Sequence, residues 1–166
     1  MNLLLIGNAV SMVGCLIMVL IGFLKKKNQI LIAQCVQCLF MGVGNLVLGG
    51  ISGFVCNIVT IIRNLVFVKC KNTTALKVFF ILLQFVLSLG TLSNGWISWL
   101  PLLAAILFTW CMDTKSAAKL KICILITQVM WLTYDLSFRN YVASAFDVMT
   151  MVSNVIGLYM ICKQKK

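Results

Sequence analysis

Apolar residues along this chain fall into seven long stretches separated by short polar or basic segments. The stretches cover residues 3–24, 30–49, 51–69, 76–93, 97–112, 119–137 and 141–162. A helix that crosses a lipid bilayer needs about 20 mainly apolar residues. The pattern therefore predicts an all-α membrane protein with seven transmembrane helices, the fifth of them short.

The composition supports a surface that faces lipid. Of the 166 residues, 62% are hydrophobic and 10% are charged, whereas about a quarter of a typical soluble domain is charged. The net charge of +11 would suit nucleic acid if the basic residues formed one patch. They lie instead in short runs between the apolar stretches, so the sequence predicts a lipid bilayer as partner and no nucleic acid.

The basic runs alternate along the chain and predict its orientation. Lysines accompany the ends of the first, third, fifth and seventh stretches: Lys25, Lys26, Lys27, Lys69, Lys71, Lys77, Lys115, Lys119, Lys121, Lys163, Lys165 and Lys166. The segments after the second and fourth stretches are neutral, and Arg139 alone follows the sixth. Because basic loops stay in the cytoplasm, we expect a multi-pass protein of the cell (inner or plasma) membrane, with its N-terminus outside and its C-terminus cytoplasmic. The first stretch is too long for a cleaved signal peptide.

The eight cysteines lie mostly within the apolar stretches. Cys35 and Cys38 form a CVQC pair, but the chain has no second pair and no histidine to complete a metal or redox site. Cysteine also serves as a small buried hydrophobe, and that interpretation is favoured here. The sequence predicts neither a metal nor a cofactor.

Polar residues inside the apolar stretches recur at a spacing of 90 residues. The pairs are Asn45 and Asp135, Asn57 and Asp147, Thr60 and Thr150, and Asn64 and Asn154. Because such residues are costly to place in lipid, their coincidence indicates an internal repeat. We interpret residues 1–72 and 95–166 as parallel triple-helix repeats joined by a linker helix within 73–94, a 3+1+3 arrangement.

Two sets of these residues form polar stripes. They are Asn57, Thr60 and Asn64 in the third stretch and Asp147, Thr150 and Asn154 in the seventh. The i, i+3, i+7 spacing places each set on one helix face. Two interpretations stay open: the stripes line a cavity, or they hold helices together at about 0.6–2 kcal/mol per contact. Asp147 favours the cavity, because a carboxylate at the bilayer centre costs about 2.5–3.5 kcal/mol.

Arg63 lies near the cytoplasmic end of the third stretch, and its repeat mate is Ser153. A long basic side chain at that depth can reach the headgroup region while its methylenes stay in lipid. We expect Arg63 to snorkel in this way; the alternative is that it reaches a carboxylate.

The motif WLTYD at 131–135, with Asp147 sixteen residues after Trp131, resembles the MtN3-like superfamily of SWEET-type sugar transporters and PQ-loop proteins. SWEET-type sequences carry a similar W..YG and an asparagine at that distance. The same positions in the first half of the chain are Met41, Gly44, Asn45 and Asn57. The resemblance implies that Asn57 and Asp147 face the substrate, with Met41 and Trp131 as the apolar floor of the site.

Within that superfamily, IIRNLVFVK (61–69) and WLPLLAAILFTWCMDTKSAAKLK (99–121) are similar to YgjV-type bacterial inner membrane proteins. Two features depart from the SWEET pattern. Pro101 is the only proline, which leaves few hinges, and Asp147 replaces an asparagine. A carboxylate suits a cation, an amine or a coupled proton better than a neutral sugar.

Three functions are compared. The first is a transporter or facilitator of a small polar solute, sugar-like or a small amine, by alternating access about a midplane site. Its candidate residues are Met41, Asn57, Thr60, Asn64, Trp131, Asp147, Thr150 and Asn154, and Asp147 would also couple a proton. The second is a non-transporting receptor or assembly partner. An enzyme is not expected, because the chain has no histidine and no nucleophile motif. Homo-oligomerisation stays open.

Overall fold

The computed structural model describes residues 2–21, 27–70, 73–111 and 117–163. Seven α-helices and no strand lie within them. The helices are α1 Leu3–Ile21, α2 Lys27–Val47, α3 Ile51–Lys69, α4 Thr74–Leu89, α5 Trp99–Cys111, α6 Ala117–Ser137 and α7 Tyr141–Lys163. The all-helical prediction is confirmed. Lys25, Lys26, Lys71, Lys115, Lys165 and Lys166, used to predict the orientation, lie outside the described residues.

The boundary between the fourth and fifth stretches differs most from the sequence prediction, since the fourth was expected to reach residue 93 and α4 ends at Leu89. The fifth apolar stretch was expected to be helical from residue 97, but Leu92–Ser98 forms a 3₁₀ segment and α5 begins at Trp99. Gly95 has a φ of +65° within this segment. Glycine readily adopts such a φ, which interrupts a regular α-helix. The α-helix of this stretch therefore begins only after Gly95, at Trp99.

Among the described residues, two helices are long and apolar enough to cross a membrane, namely Leu3–Leu20 of α1 and Ile51–Lys69 of α3. Shorter apolar helical segments lie in four of the other helices: Leu31–Val47, Thr74–Leu89, Gly95–Cys111 and Tyr141–Ile156. Large apolar side chains such as Leu5, Leu82 and Val86 are exposed on the outside of the helices. Exposed aliphatic surface of this kind requires an apolar medium, as lipid provides.

Six of the helices pack around a common interior. α1 contacts α2, α2 contacts α3, α5 contacts α6, and α6 contacts α7. Contacts of α1 with α7 and of α3 with α5 close the ring. α4 lies outside it against α3 and α5, where Phe80 meets Phe67 edge to face at 5.6 Å between ring centroids.

Small residues let α1 and α2 approach closely. A Cβ added at Gly44 would collide with the hydroxyl of Ser11, and one added at Gly14 would lie 2.9 Å from the Met41 side chain. In membranes, close helix packing depends on such residues because lipid gives apolar side chains no reason to associate. The contact fixes Met41 on the inner side of α2.

The turns after α2 and α6 share one geometry at the 90-residue spacing. Gly50 N–H donates to Asn45 O at 2.7 Å, and Asn140 N–H donates to Asp135 O at 2.8 Å. The preceding residues, Gly49 and Arg139, are left-handed with φ of +84° and +58°. Each turn is a Schellman motif, which ends a helix and satisfies its last carbonyls. The helix bounds follow the same spacing, since α2 spans 27–47 and α6 spans 117–137.

The two turns meet at one end of the bundle, which we call the hairpin end. Asn140 Nδ2 donates to Asn45 Oδ1 at 3.1 Å, so the two Schellman turns are neighbours. From α1, Asn8 Nδ2 donates to Arg139 O at 3.0 Å and Asn8 Oδ1 accepts from Val142 N–H at 3.1 Å. The start of α1 therefore lies at the hairpin end as well.

Candidate functional site

The ring of six helices encloses a cavity of about 730 Å³. Residues of α1, α2, α3, α5, α6 and α7 line it, whereas no described residue of α4 does. Seven of the eight residues predicted from the sequence contribute: Met41, Asn57, Thr60, Trp131, Asp147, Thr150 and Asn154. The two polar stripes thus meet in one cavity, with the exception of Asn64.

Asn57 and Asp147 occupy matching depths in this cavity. Each lies six residues after the first residue of its helix, Ile51 and Tyr141. This corresponds to about 9 Å of helix rise, and both helices start at the hairpin end. Asn57 Nδ2 donates to Gly53 O of its own helix at 2.9 Å.

Asp147 has one oxygen satisfied and one without a partner. Oδ1 accepts from Gln128 Nε2 at 2.9 Å, and Oδ2 has no hydrogen-bond partner among the described residues. The side chain is 6% exposed. Leaving a buried acceptor unpaired costs about 1–3 kcal/mol, and more when the group is charged. Asp147 therefore brings an unsatisfied acceptor to the wall of the cavity.

Asp135 is a second carboxylate of the cavity that was not selected from the sequence as a site residue. It lines the cavity, it is 1% exposed, and its Oδ1 has no partner among the described residues. The available signals were its place in WLTYD and its repeat mate Asn45. Gln128, which holds Asp147, was also missed, because an isolated glutamine carries no sequence signal of its own.

The expectation that the Arg63 side chain snorkels to the headgroup region is wrong. Its side chain is 4% exposed and lines the cavity. Nη1 donates to Thr109 Oγ1 at 2.6 Å, and Nη2 donates to Asn64 Oδ1 at 3.1 Å. The guanidinium carbon lies 5.8 Å from the centroid of the Phe108 ring. Neutral groups on α3 and α5 therefore hold the arginine inside the ring of helices.

Asn64 has a supporting role instead of a place in the wall. It is fully buried, its Oδ1 accepts from Arg63, and its Nδ2 donates to Gln34 Oε1 at 3.2 Å. Residues seven apart point within about 20° of each other on an α-helix, and Asn154, the i+7 member of the other stripe, does line the cavity. Helical spacing therefore does not account for the absence of Asn64 from the wall; its side chain is instead bonded to Arg63 and Gln34.

The hairpin end of the cavity is closed by a polar cluster, which we define as Asn45, Tyr134, Asp135 and Asn140. Each of these side chains is at most 1% exposed. The Tyr134 hydroxyl accepts from Gly53 N–H at 2.7 Å and from Ser52 Oγ at 3.1 Å. It thereby caps the start of α3, whose first N–H groups lack partners within the helix.

The apolar floor inferred from the resemblance lies next to this cluster. The ring of Trp131 meets that of Tyr134 edge to face at 5.8 Å. Met41 Sδ lies 3.8 Å from Cys15 Sγ on α1. Both residues line the cavity, so a solute held by Asn57 and Asp147 would also contact apolar surface.

The two cysteines of the CVQC pair have different surroundings. Cys38 lines the cavity as a buried free thiol, and Cys35 Sγ lies 3.7 Å from the carbonyl of Ile61. Among the described residues, no group of three or more His, Cys, Asp or Glu side chains is arranged to hold a metal.

Comparison with known proteins places the chain in a family. No curated protein and no solved structure matched it. One family model, Imp-YgjV, described as a bacterial inner membrane protein, matches residues 5–165. An apolar outer surface and two membrane-length helices agree with that description. The chain belongs to the Imp-YgjV family of bacterial inner membrane proteins.

Proposed function

We propose that the protein is a transporter or facilitator of a small polar solute that works by alternating access about this cavity. The observation that carries the proposal is the cavity of about 730 Å³, which both halves of the chain line and which holds an unpartnered carboxylate oxygen of Asp147. Pockets of about 300–1,000 Å³ with a few polar groups on an apolar lining are typical of small-molecule sites.

The proposed topology has seven spans, with the N-terminus outside and the C-terminus in the cytoplasm. Residues 1–72 and 95–166 form parallel triple-helix repeats, and α4, within 73–94, links them. The shared Schellman turns and matching helix bounds at the 90-residue spacing support the repeat, as does the position of α4 outside the ring. Parallel repeats of this kind occur in SWEET-type transporters, and we propose a distant place in the MtN3-like superfamily.

Alternating access assigns roles to the residues on either side of the site. The solute contacts Asn57 and Asp147, with Thr60, Thr150 and Asn154 farther along the same walls. The hairpin cluster closes the outer end, since Asn45, Tyr134 and Asn140 leave no exposed surface there. Outward opening must therefore separate Asn140 from Asn45 and Tyr134 from Gly53, two of the contacts that join the halves at the hairpin end.

The direct test measures solute flux without a label. Purified protein is reconstituted into liposomes and mixed by stopped flow with sugars, nucleosides, small amines or amino acids, and light scattering follows vesicle shrinkage and recovery. A transported solute speeds recovery relative to empty liposomes. Asn57→Ala and Asp147→Asn should abolish that increase, whereas Thr133→Val, a polar change on α6 away from the cavity, should preserve it.

Two outcomes separate this proposal from its alternative. Thermal stabilisation of the purified protein by a solute that produces no flux would support a receptor or assembly partner on the same fold. A ligand at 100 times its dissociation constant stabilises a protein by about 2.7 kcal/mol, so binding is measurable. Flux that is unchanged in Asn57→Ala and Asp147→Asn would place transport outside this cavity and refute the assigned site.

A further inference from the structure

The cavity carries opposite charges at two depths. Asp147 lies six residues into α7, and Arg63 lies twelve residues into α3. Both helices start at the hairpin end, so the two positions differ by about 9 Å of helix rise. Asp135, two residues before the end of α6 in the hairpin cluster, adds a second carboxylate on the Asp147 side. The wall is therefore negative toward the hairpin end and positive farther in.

Neither charge is balanced by an opposite charge within the described part of the chain. Arg63 donates to Thr109 and Asn64, which are neutral, and no described carboxylate lies within ion-pair distance of it. Asp147 accepts from the neutral Gln128 and keeps Oδ2 unpaired. A buried ion without its counter-charge costs several kcal/mol. An added cation would compensate only Asp147, and an added anion would compensate only Arg63.

Arg63 and Asp147 occupy positions at which the two halves of the chain differ. At the 90-residue spacing Arg63 corresponds to Ser153 and Asp147 to Asn57, while Thr60 and Thr150 are identical. Each charge belongs to one half of the chain only, since the mates Ser153 and Asn57 line the same cavity with neutral side chains. The two depths of the wall therefore differ in charge.

We propose that the solute is a small zwitterion whose ammonium group binds Asp147 and whose carboxylate, or similar anionic group, binds Arg63. This inference rests on the proposed function and names the substrate class of the same cavity. Because the two positions differ by about 9 Å of helix rise, the ligand is one whose charges are several bonds apart, such as an ω-amino acid or a dipeptide. Its apolar middle would pack on Trp131 and Met41.

The test is a chain-length series of ω-amino acids bound to the purified protein in detergent. Glycine, 4-aminobutyrate, 6-aminohexanoate and 8-aminooctanoate are compared by calorimetry, with hexylamine, hexanoate and glucose as probes that lack one or both charges. We expect the tightest binding at an intermediate length. Hexylamine and hexanoate should bind about ten- to a hundredfold more weakly, since each lacks one charge-assisted hydrogen bond.

Variants of Arg63 and Asp147 test which residue binds each end of the ligand. Arg63→Gln should reduce 6-aminohexanoate binding to the level of hexylamine and leave hexylamine binding unchanged. Asp147→Asn should reduce it to the level of hexanoate. Lys69→Gln, which removes an exposed positive charge from the same helix, should change neither. If Arg63→Gln does not fold, Arg63→Lys keeps the charge and should retain the preference for 6-aminohexanoate over hexylamine.

The outcomes distinguish failure of the zwitterion proposal from failure of the transporter proposal. Equal binding of hexylamine and 6-aminohexanoate, or no response to Arg63→Gln in a folded variant, overturns the zwitterion while the transporter proposal stands. The same holds if glucose binds and the whole series does not. If no probe binds and the flux panel is also silent, both proposals fail.

Discussion

The side-chain amide of Asn140 donates to that of Asn45 across 3.1 Å, between two residues that lie 95 positions apart in the chain, and this bond joins the turns after α2 and α6. Both residues are fully buried. The bond sets the start of α3 beside the start of α7, which brings Asn57 and Asp147 to the same depth. The neighbouring bond of Tyr134 to Gly53 completes the link between the halves.

Loss of the Tyr134 hydroxyl should weaken this link. Tyr134→Phe leaves the buried N–H of Gly53 without an acceptor, and such a loss costs about 1–3 kcal/mol. We expect a lower midpoint of thermal unfolding in detergent. Tyr141→Phe, which alters an exposed tyrosine at the start of α7, is the matched control. Equal midpoints for the two variants would contradict a structural role for the hydroxyl.

Gly53 itself should tolerate no side chain. A Cβ there would lie 2.6 Å from the Tyr134 ring and 2.8 Å from Asn45 Nδ2. Overpacking of this kind typically costs about 1–3 kcal/mol, so Gly53→Ala should destabilise the protein. Because the strain falls on the hairpin cluster, the same variant should also raise non-selective solute leak in the liposome assay. A variant as stable and as tight as wild type would show that α3 and α6 adjust freely.

The left-handed turn residue offers a test of backbone conformation alone. Neither Gly49 nor Gly90 has an atom within 4 Å of an added Cβ, but Gly49 has a φ of +84° and Gly90 a φ of −72°. A left-handed conformation costs a side-chain-bearing residue about 1–2 kcal/mol. Gly49→Ala should therefore lower the unfolding midpoint, while Gly90→Ala should leave it unchanged or raise it slightly. Identical effects at both positions would refute the Schellman geometry.

Asp147 should be needed for binding and unfavourable for stability. Asp147→Asn keeps the acceptor for Gln128 and removes a charge whose Oδ2 is unpaired. We expect an unfolding midpoint equal to or above that of wild type, with solute binding lost, as at other functional sites that carry stored strain. Asp147→Ala, which also removes the bond to Gln128, should be less stable than Asp147→Asn. If both variants are destabilised alike, the residue holds helices together.

The orientation can be tested with thiols at opposite ends of helices. Cys70 follows α3 and is exposed, on the side assigned to the cytoplasm. Single-cysteine variants carrying Cys70 or Ser137→Cys, at the end of α6, are treated with a membrane-impermeant maleimide in vesicles of both orientations. Cys70 should react in inside-out vesicles and Ser137→Cys in right-side-out vesicles. The reverse pattern would place the N-terminus in the cytoplasm.

Much of the architecture is determined by local properties of the sequence. The length of each apolar stretch predicted the seven helices, because a bilayer sets the length of a span. The i, i+3, i+7 spacing brought the polar residues of α3 and α7 onto one face each, and seven of the eight selected side chains, all but Asn64, line the cavity. Hydropathy also marked Asp147 as the costly residue, since a carboxylate is unfavourable at the apolar centre of a bilayer.

Only the tertiary structure decided which neighbour each polar group meets. Arg63 was expected at the interface but is held inward by Thr109 of α5, 46 residues away. Asn64, which was expected to line the cavity, accepts a hydrogen bond from the Arg63 guanidinium instead. Asp135, which was not selected from the sequence, lines the cavity. The reason is physical: hydropathy and helical periodicity specify how deep a residue lies and which face of its helix it occupies. The rotation of that face, and the donor or acceptor placed opposite it, are set by packing against helices that are distant in sequence.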